Sequence, residues 1–144
     1  MADKYLTDML IGNSLIFACG RLQKSITNSV MEFNLNFEQA FILRELLFLK
    51  DCESINQKAL SDTLRLDAVT ISRNLTRLEK AGLISRKKKD GFKREKIFLL
   101  TSDGKRIAGK ANEVICTHFS AAFAHIDEQD RSRLIDALQS IIKQ

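Results

Sequence analysis

The sequence contains no proline and no tryptophan, and only six glycines among its 144 residues. A chain so poor in breakers favours long helices joined by tight turns. Its three cysteines, Cys19, Cys52 and Cys116, are odd in number and far apart. They exclude a disulfide framework and a zinc site built on cysteine pairs, and they suit a reducing cytoplasm. The two histidines, His118 and His125, lie seven residues apart on one helical face. Helical metal pairs use spacings of three or four, and no carboxylate or thiol completes a site within a turn of both, so no metal is expected. No apolar run approaches the ~18 residues that span a bilayer. The opening MADKYLTDML mixes acid and base, unlike a secretory signal, so no membrane partner is expected. Nucleophile elbows, phosphate loops and paired carboxylates in an evident cleft are missing too. The expectation is a protein that is not an enzyme and needs no cofactor.

What is present is a concentrated positive charge. Residues 57–96 hold 12 Lys or Arg and 5 Asp or Glu, a net of +7, against 11 and 13 elsewhere, a net of −2. The overall +5 is thus one basic patch on a near-neutral body. Such a local patch is the electrostatic footprint of a nucleic-acid partner.

Residues 4–33 read as one long helix with a wide apolar surface that includes Leu6, Leu10, Phe17, Ile26 and Val30. Asn36 and Gln39 have capping-box spacing, with Leu35 and Ala40 placed as a staple, before an apolar helix over 37–49. Residues 51–54 read as a polar turn. Asn56 caps a short helix over 57–64, and Asp67 caps the next, which ends at Gly82. Two short helices so joined have helix-turn-helix spacing. In the second, Ile71, Leu75 and Leu78 face the core. Val69, Ser72, Arg73, Thr76 and Lys80 face outward, with Thr70 and Arg77 on the flank.

A basic hairpin follows, LISRKKKDGFKREKIFLLT over 83–101. Asp90-Gly91 is a strong two-residue turn signal. A loop there pairs Lys89 with Phe92, Lys88 with Lys93, Lys87 with Arg94 and Arg86 with Glu95. Thr101 caps a second long helix over 102–125, and Asp127 caps a last helix carrying Leu134, Ile135, Leu138, Ile141 and Ile142. The first and last helices are too apolar to coat so small a body alone. They ask for a second copy of the chain. The fold class expected is mainly α with a small β-hairpin wing: a winged helix-turn-helix, homodimeric through its N- and C-terminal helices.

The segment INQKALSDTLRLDAVTISRNLTRLEKAGLISR (55–86) and the closing FLLTSDG (98–104) resemble the MarR family of bacterial transcriptional regulators. The likeness in element order covers nearly the whole chain. It implies a single MarR-type domain over 1–144, with a winged-helix DNA-binding region at 34–101 and a dimerising region formed by 1–33 and 102–144. It also implies a homodimer on a palindromic operator in double-stranded DNA. Family members often respond to small phenolic or lipophilic ligands, or to oxidation. A small apolar or phenolic effector is therefore expected here, in a crevice lined by the first, second and fifth helices. In family wings an Asp stands two residues before a key Arg. That Arg corresponds to Arg94, but Phe92 holds the Asp position.

The function expected is a cytoplasmic, sequence-specific DNA-binding transcriptional regulator, acting as a repressor relieved by a small molecule. Its DNA contacts are expected from Val69, Thr70, Ser72, Arg73, Thr76 and Arg77 on the recognition helix, and from Arg86, Lys87, Lys88, Lys93 and Arg94 on the wing. Two alternatives keep the fold: a cysteine-based redox-sensing regulator, or a dimeric protein-interaction module. The oxidation-sensing relatives place their cysteine about two turns earlier than Cys19. Cys19 and Cys116 are therefore expected as packed small apolar groups, as free cysteines usually are, and Cys52 as an exposed thiol.

Overall fold

In a computed structural model, the chain is described over residues 2–49, 55–88 and 96–144. The elements are α1 (Ala2–Val30), a 3-10 turn (Met31–Phe33), α2 (Phe37–Phe48), α3 (Gln57–Leu64), α4 (Ala68–Lys80), β1 (Ile84–Lys88), β2 (Lys96–Leu100), α5 (Ser102–Phe123) and α6 (Glu128–Ile142). This is the mainly helical winged architecture the sequence predicts. The 51–54 turn, Cys52 and the Asp90-Gly91 tip lie outside the described residues.

Each helix start anticipated from a capping residue is present. Asn36 accepts from the Gln39 N–H at 2.7 Å, and the Gln39 side chain accepts from the Asn36 N–H at 3.0 Å. Asn56, Asp67, Thr101 and Asp127 each cap their helix in the same three-residue pattern. Between α3 and α4 the chain turns through Arg65, in the left-handed region at φ 54°. The Leu66 N–H donates back to the Ser61 carbonyl at 3.2 Å, which closes the helix-turn-helix bend.

The core forms around α2. Ala40, Ile42 and Leu43 meet Leu60 of α3, Ile71 and Leu75 of α4, Ile84 and Phe98 of the hairpin, and Ala108 and Ile115 of α5, all buried. Only the C-terminal part of α1 joins this core, through Ile26 and Val30. Farther up, Tyr5, Leu6, Leu10, Ile16 and Phe17 are 62–75% exposed. Helix α6 has no buried residue, and Ile135, Ile141 and Ile142 are more than half exposed. The anticipated unpartnered apolar surface is therefore present at both ends of the chain. At the α5–α6 corner, Arg131 donates to the carbonyls of Ile126 and Phe123 and so satisfies the end of α5.

Two expectations are corrected. The first is the hairpin register. Strands β1 and β2 pair Ile84 with Leu100, Arg86 with Phe98 and Lys88 with Lys96, three residues away from the register that a two-residue Asp90-Gly91 loop sets. The cause is parity. Residues directly opposite in an antiparallel pair share a face, and an odd slip exchanges the faces. Ile84 and Phe98 are both buried, at 2% and 3% exposure, so they must share the inner face. The turn-based register would put them on opposite faces. The only like-charged rung among the described residues is then Lys88 with Lys96.

The second correction concerns the thiols. Cys19 and Cys116 are exposed, not packed.

Candidate nucleic-acid interface

Helix α4 is anchored on one side only. Ile71, Asn74, Leu75 and Leu78 are buried, an i, i+3, i+4, i+7 stripe seated on the core. The opposite side forms an open surface of Ala68, Val69, Ser72, Arg73, Thr76, Arg77 and Lys80. Val69 is 66% exposed, an apolar side chain offered to solvent at the start of the helix. Arg73 and Arg77 are exposed, and neither forms an ion pair among the described residues. The sequence-predicted face is thus assembled on one surface. Thr70 and Thr76 sit half-buried at its edges.

The hydroxyl chemistry of that face is partly committed. Asp67 Oδ1 accepts from the Thr70 N–H and Oδ2 accepts from the Thr70 hydroxyl, both at 2.8 Å. These bonds, the backbone N–H of Thr70 first, hold the Asp67 carboxyl below the usual carboxylate range. Thr76 donates its hydroxyl proton to the Ser72 carbonyl at 3.0 Å. Both threonines therefore present lone pairs outward. They can accept from a base amino group but cannot donate to phosphate while these bonds stand.

The C-terminal end of α4 is fixed by backbone geometry. Gly82 takes φ 75°, and the N–H groups of Gly82 and Leu83 donate to the carbonyls of Glu79 and Leu78, both at 3.0 Å. This is a complete Schellman closure. Thr101, the cap of α5, donates its hydroxyl to the Gly82 carbonyl at 2.7 Å and accepts from the Gly104 N–H at 3.0 Å. Gly104 packs so closely on this junction that an added Cβ would lie 1.8 Å from the Leu83 carbonyl oxygen. The spaced glycines of RLEKAGLISR and LTSDG thus have a structural cause. One supplies the left-handed turn, and the other lets α5 meet the start of the wing.

On the wing, Lys87 and Lys88 are exposed. Arg86, expected as a DNA contact, also has partners within the chain. Its Nε lies 3.4 Å from Glu79 Oε2, and its guanidinium stands 5.2 Å over the Phe98 ring. It ties the wing to α4 and has part of its charge neutralised. Lys93 and Arg94 lie outside the described residues.

Sequence reading missed Asn74. It is 4% exposed, accepts from the Asn36 amide at 3.0 Å and donates to the Thr70 carbonyl at 2.9 Å. The signal was available. A polar residue within the 71, 74, 75, 78 stripe requires a buried partner.

A helix-turn-helix with one helix presented outward, flanked by a basic two-stranded wing, defines a DNA-binding transcriptional regulator of the winged-helix class. Comparison with known proteins narrows this. Residues 35–96 match the model of the MarR family. The organic hydroperoxide resistance transcriptional regulator of Bacillus subtilis (strain 168) is 30% identical over 101 residues, 69% of this chain and 67% of that protein. The chain belongs to the MarR family. Among solved structures, a putative MarR family regulator from Listeria monocytogenes, complexed with 26mer DNA, superposes with a TM-score of 0.81. It is 24% identical, with 91% of this chain and 85% of that one covered. CouR from Rhodococcus jostii RHA1, bound to p-coumaroyl-CoA, gives a TM-score of 0.77 at 24% identity, over 91% and 90% of the two chains. No described helix is long and apolar enough to cross a membrane.

Proposed function

We propose that the chain is a homodimeric repressor that reads a palindromic operator, and that a small apolar or phenolic effector releases it. In this reading α4 enters the major groove. Val69, Thr70, Ser72, Arg73, Thr76 and Arg77 face the bases or the flanking phosphates, and Lys87, Lys88, Lys93 and Arg94 grip phosphate from the wing. Arg86 acts chiefly by holding the wing. In this reading residues 34–101 form the DNA-binding region and 1–33 and 102–144 the dimerising region, which the exposed apolar faces of α1 and α6 support. Such a protein acts in the cytoplasm and catalyses nothing.

The observation that carries the reading is the pair Arg73 and Arg77, exposed and without an ion pair among the described residues, on the outward face of a helix whose other face is locked to the core. A guanidinium so presented can reach two acceptors of one guanine. Arg73→Ala should cost ~1–3 kcal/mol per half-site on a duplex selected by the wild type and flatten preference at one base position of each half-site. An equal loss on selected and random duplexes would show that Arg73 meets only phosphate.

A second reading has one specific support. A 30% identical relative is named for organic hydroperoxide resistance, and Cys19 is exposed on α1. Reversible release of DNA by a low dose of peroxide, abolished in Cys19→Ser alone, would establish it. Retained binding under peroxide supports the effector reading.

A further inference from the structure

We infer that the hydrogen bond between Asn36 and Asn74 is a positioning device. It sets the rotation of α4 about its own axis and so contributes to operator discrimination without touching DNA. The inference rests on the reading of α4 as the base-reading helix.

The two residues belong to different helices. Asn36 is the N-cap of α2 and Asn74 lies in the middle of α4. A continuous relay joins them. The Gln39 N–H donates to Asn36 Oδ1 at 2.7 Å, and Asn36 Nδ2 donates to Asn74 Oδ1 at 3.0 Å. Asn74 Nδ2 then donates to the Thr70 carbonyl at 2.9 Å, and Thr70 donates twice to Asp67. The relay thus runs from the α2 cap to the first turn of α4, where Val69 and Ser72 begin the outward face.

The other buried residues of α4 are Ile71, Leu75 and Leu78. Apolar packing is non-directional. Three aliphatic side chains resist separation of the helices more than a small turn of α4. A hydrogen bond is directional and weakens steeply when misaligned. Side-chain tips lie roughly 5–6 Å from a helix axis, so a rotation of about 10° displaces them by about 1 Å. A bidentate contact to a base edge does not survive such a shift, whereas a phosphate contact made by a flexible side chain does. The tie therefore bears on specific binding and leaves general attraction alone.

Asn36 also offers more than a cap requires. Serine caps a helix about as well as asparagine. Its single hydroxyl can satisfy the Gln39 N–H, but it has no amide group to reach Asn74. Asn36→Ser therefore removes the tie while keeping the cap. Asn74→Leu removes it from the other side and fills the buried position with a side chain of similar size.

The test measures affinity, across a range of salt, for a duplex selected by the wild type from a random pool and for a random duplex of equal length. Thermal midpoints are recorded alongside. Asn36→Ser should lower its midpoint by a few degrees, because the buried Asn74 Oδ1 loses its donor, and should keep its random-duplex affinity and its salt slope. The ratio of selected to random affinity should fall about three- to tenfold, the loss of roughly one hydrogen bond. Asn74→Leu should lower that ratio similarly, and the double variant should lose no more than either single one. An unchanged ratio in Asn36→Ser overturns the proposal. A parallel fall on both duplexes does so too, since it would mean a general loss of binding. Arg73→Ala separates this from failure of the underlying reading. If it too leaves the ratio unchanged, α4 is not the base reader. If only Asn36→Ser leaves it unchanged, the tie alone is refuted.

Discussion

Replacing Gly104 with Ala probes the junction on which the wing depends. In an exposed helix, Gly→Ala usually stabilises by up to ~1 kcal/mol. At Gly104 the added methyl would lie 1.8 Å from the Leu83 oxygen and 2.9 Å from its carbonyl carbon. Backbone must therefore move. Leu83 cannot move freely, because its N–H closes the Schellman motif on Leu78 and its carbonyl accepts from the Thr101 N–H at 3.1 Å. If α5 retreats instead, the bonds from Thr101 to Leu83 and to Gly82 lengthen. Overpacking costs ~1–3 kcal/mol and each strained bond up to ~1 kcal/mol. After the helix-propensity gain of up to ~1 kcal/mol, the net loss is up to about 4 kcal/mol.

Gly109 is the internal control. It lies on the same helix, and an added Cβ there meets nothing within 4 Å. Gly109→Ala should be neutral or stabilised by up to ~1 kcal/mol. Urea unfolding of both variants at one protein concentration gives the comparison, because an oligomer's midpoint depends on concentration. Heat should show the same order, at about 2–4 °C per kcal/mol for a chain of this size. Equal stability of the two variants would refute the close approach of α5 to Leu83. It would also remove the structural account of the glycine in LTSDG.

Light scattering should find about twice the 16.4 kDa chain mass, because the apolar faces of α1 and α6 have no partner among the described residues of one chain; a clean monomer at micromolar concentration excludes two-fold operator binding. The Asp67 carboxyl is depressed below its ordinary 3.8, so its contribution is complete above that value and is lost as pH falls through the folded value below it. Asp67→Asn keeps the cap without the titration, so the stability gap between it and the wild type should change only in that acid window. A gap that changes only near neutral pH would mean another group titrates. Replacing Lys87 and Lys88 with Gln should reduce the slope of log affinity against log salt by about 2 per protomer, hence about 4 for the bound homodimer, near 0.9 for each phosphate no longer neutralised. An unchanged slope would make the described part of the wing an ordinary solvated surface.

Features set by local chemistry were legible in the sequence. Asn36, Asn56, Asp67, Thr101 and Asp127 cap the helices they were expected to cap, because a cap is decided within three residues. The outward face of α4 was legible for a similar reason: Ile71, Leu75 and Leu78 leave one orientation that buries all three. The hairpin register was not read correctly, although the information was present. Asp90-Gly91 is a local cue, whereas the need to bury Ile84 with Phe98 joins residues fourteen positions apart. Burial of two large apolar side chains is worth ~1.5–3 kcal/mol each and outweighs a turn preference.

The register then decides the fate of an arginine. With Arg86 opposite Phe98, its guanidinium lies over the ring and within reach of Glu79, seven residues earlier on α4. With Arg86 opposite Glu95, the same residue would have counted as a wing contact paired across the strands. Sequence position places a charge in the basic patch, but tertiary geometry decides whether that charge is free to meet a phosphate. Arg73 and Arg77 are free among the described residues, while Arg86 is engaged by Glu79. Charge density alone therefore overstates the cations available for DNA. The salt slope of the wild type, which counts phosphates actually neutralised, should fall well short of 0.9 times twice the 12 Lys and Arg of residues 57–96, since two chains are bound.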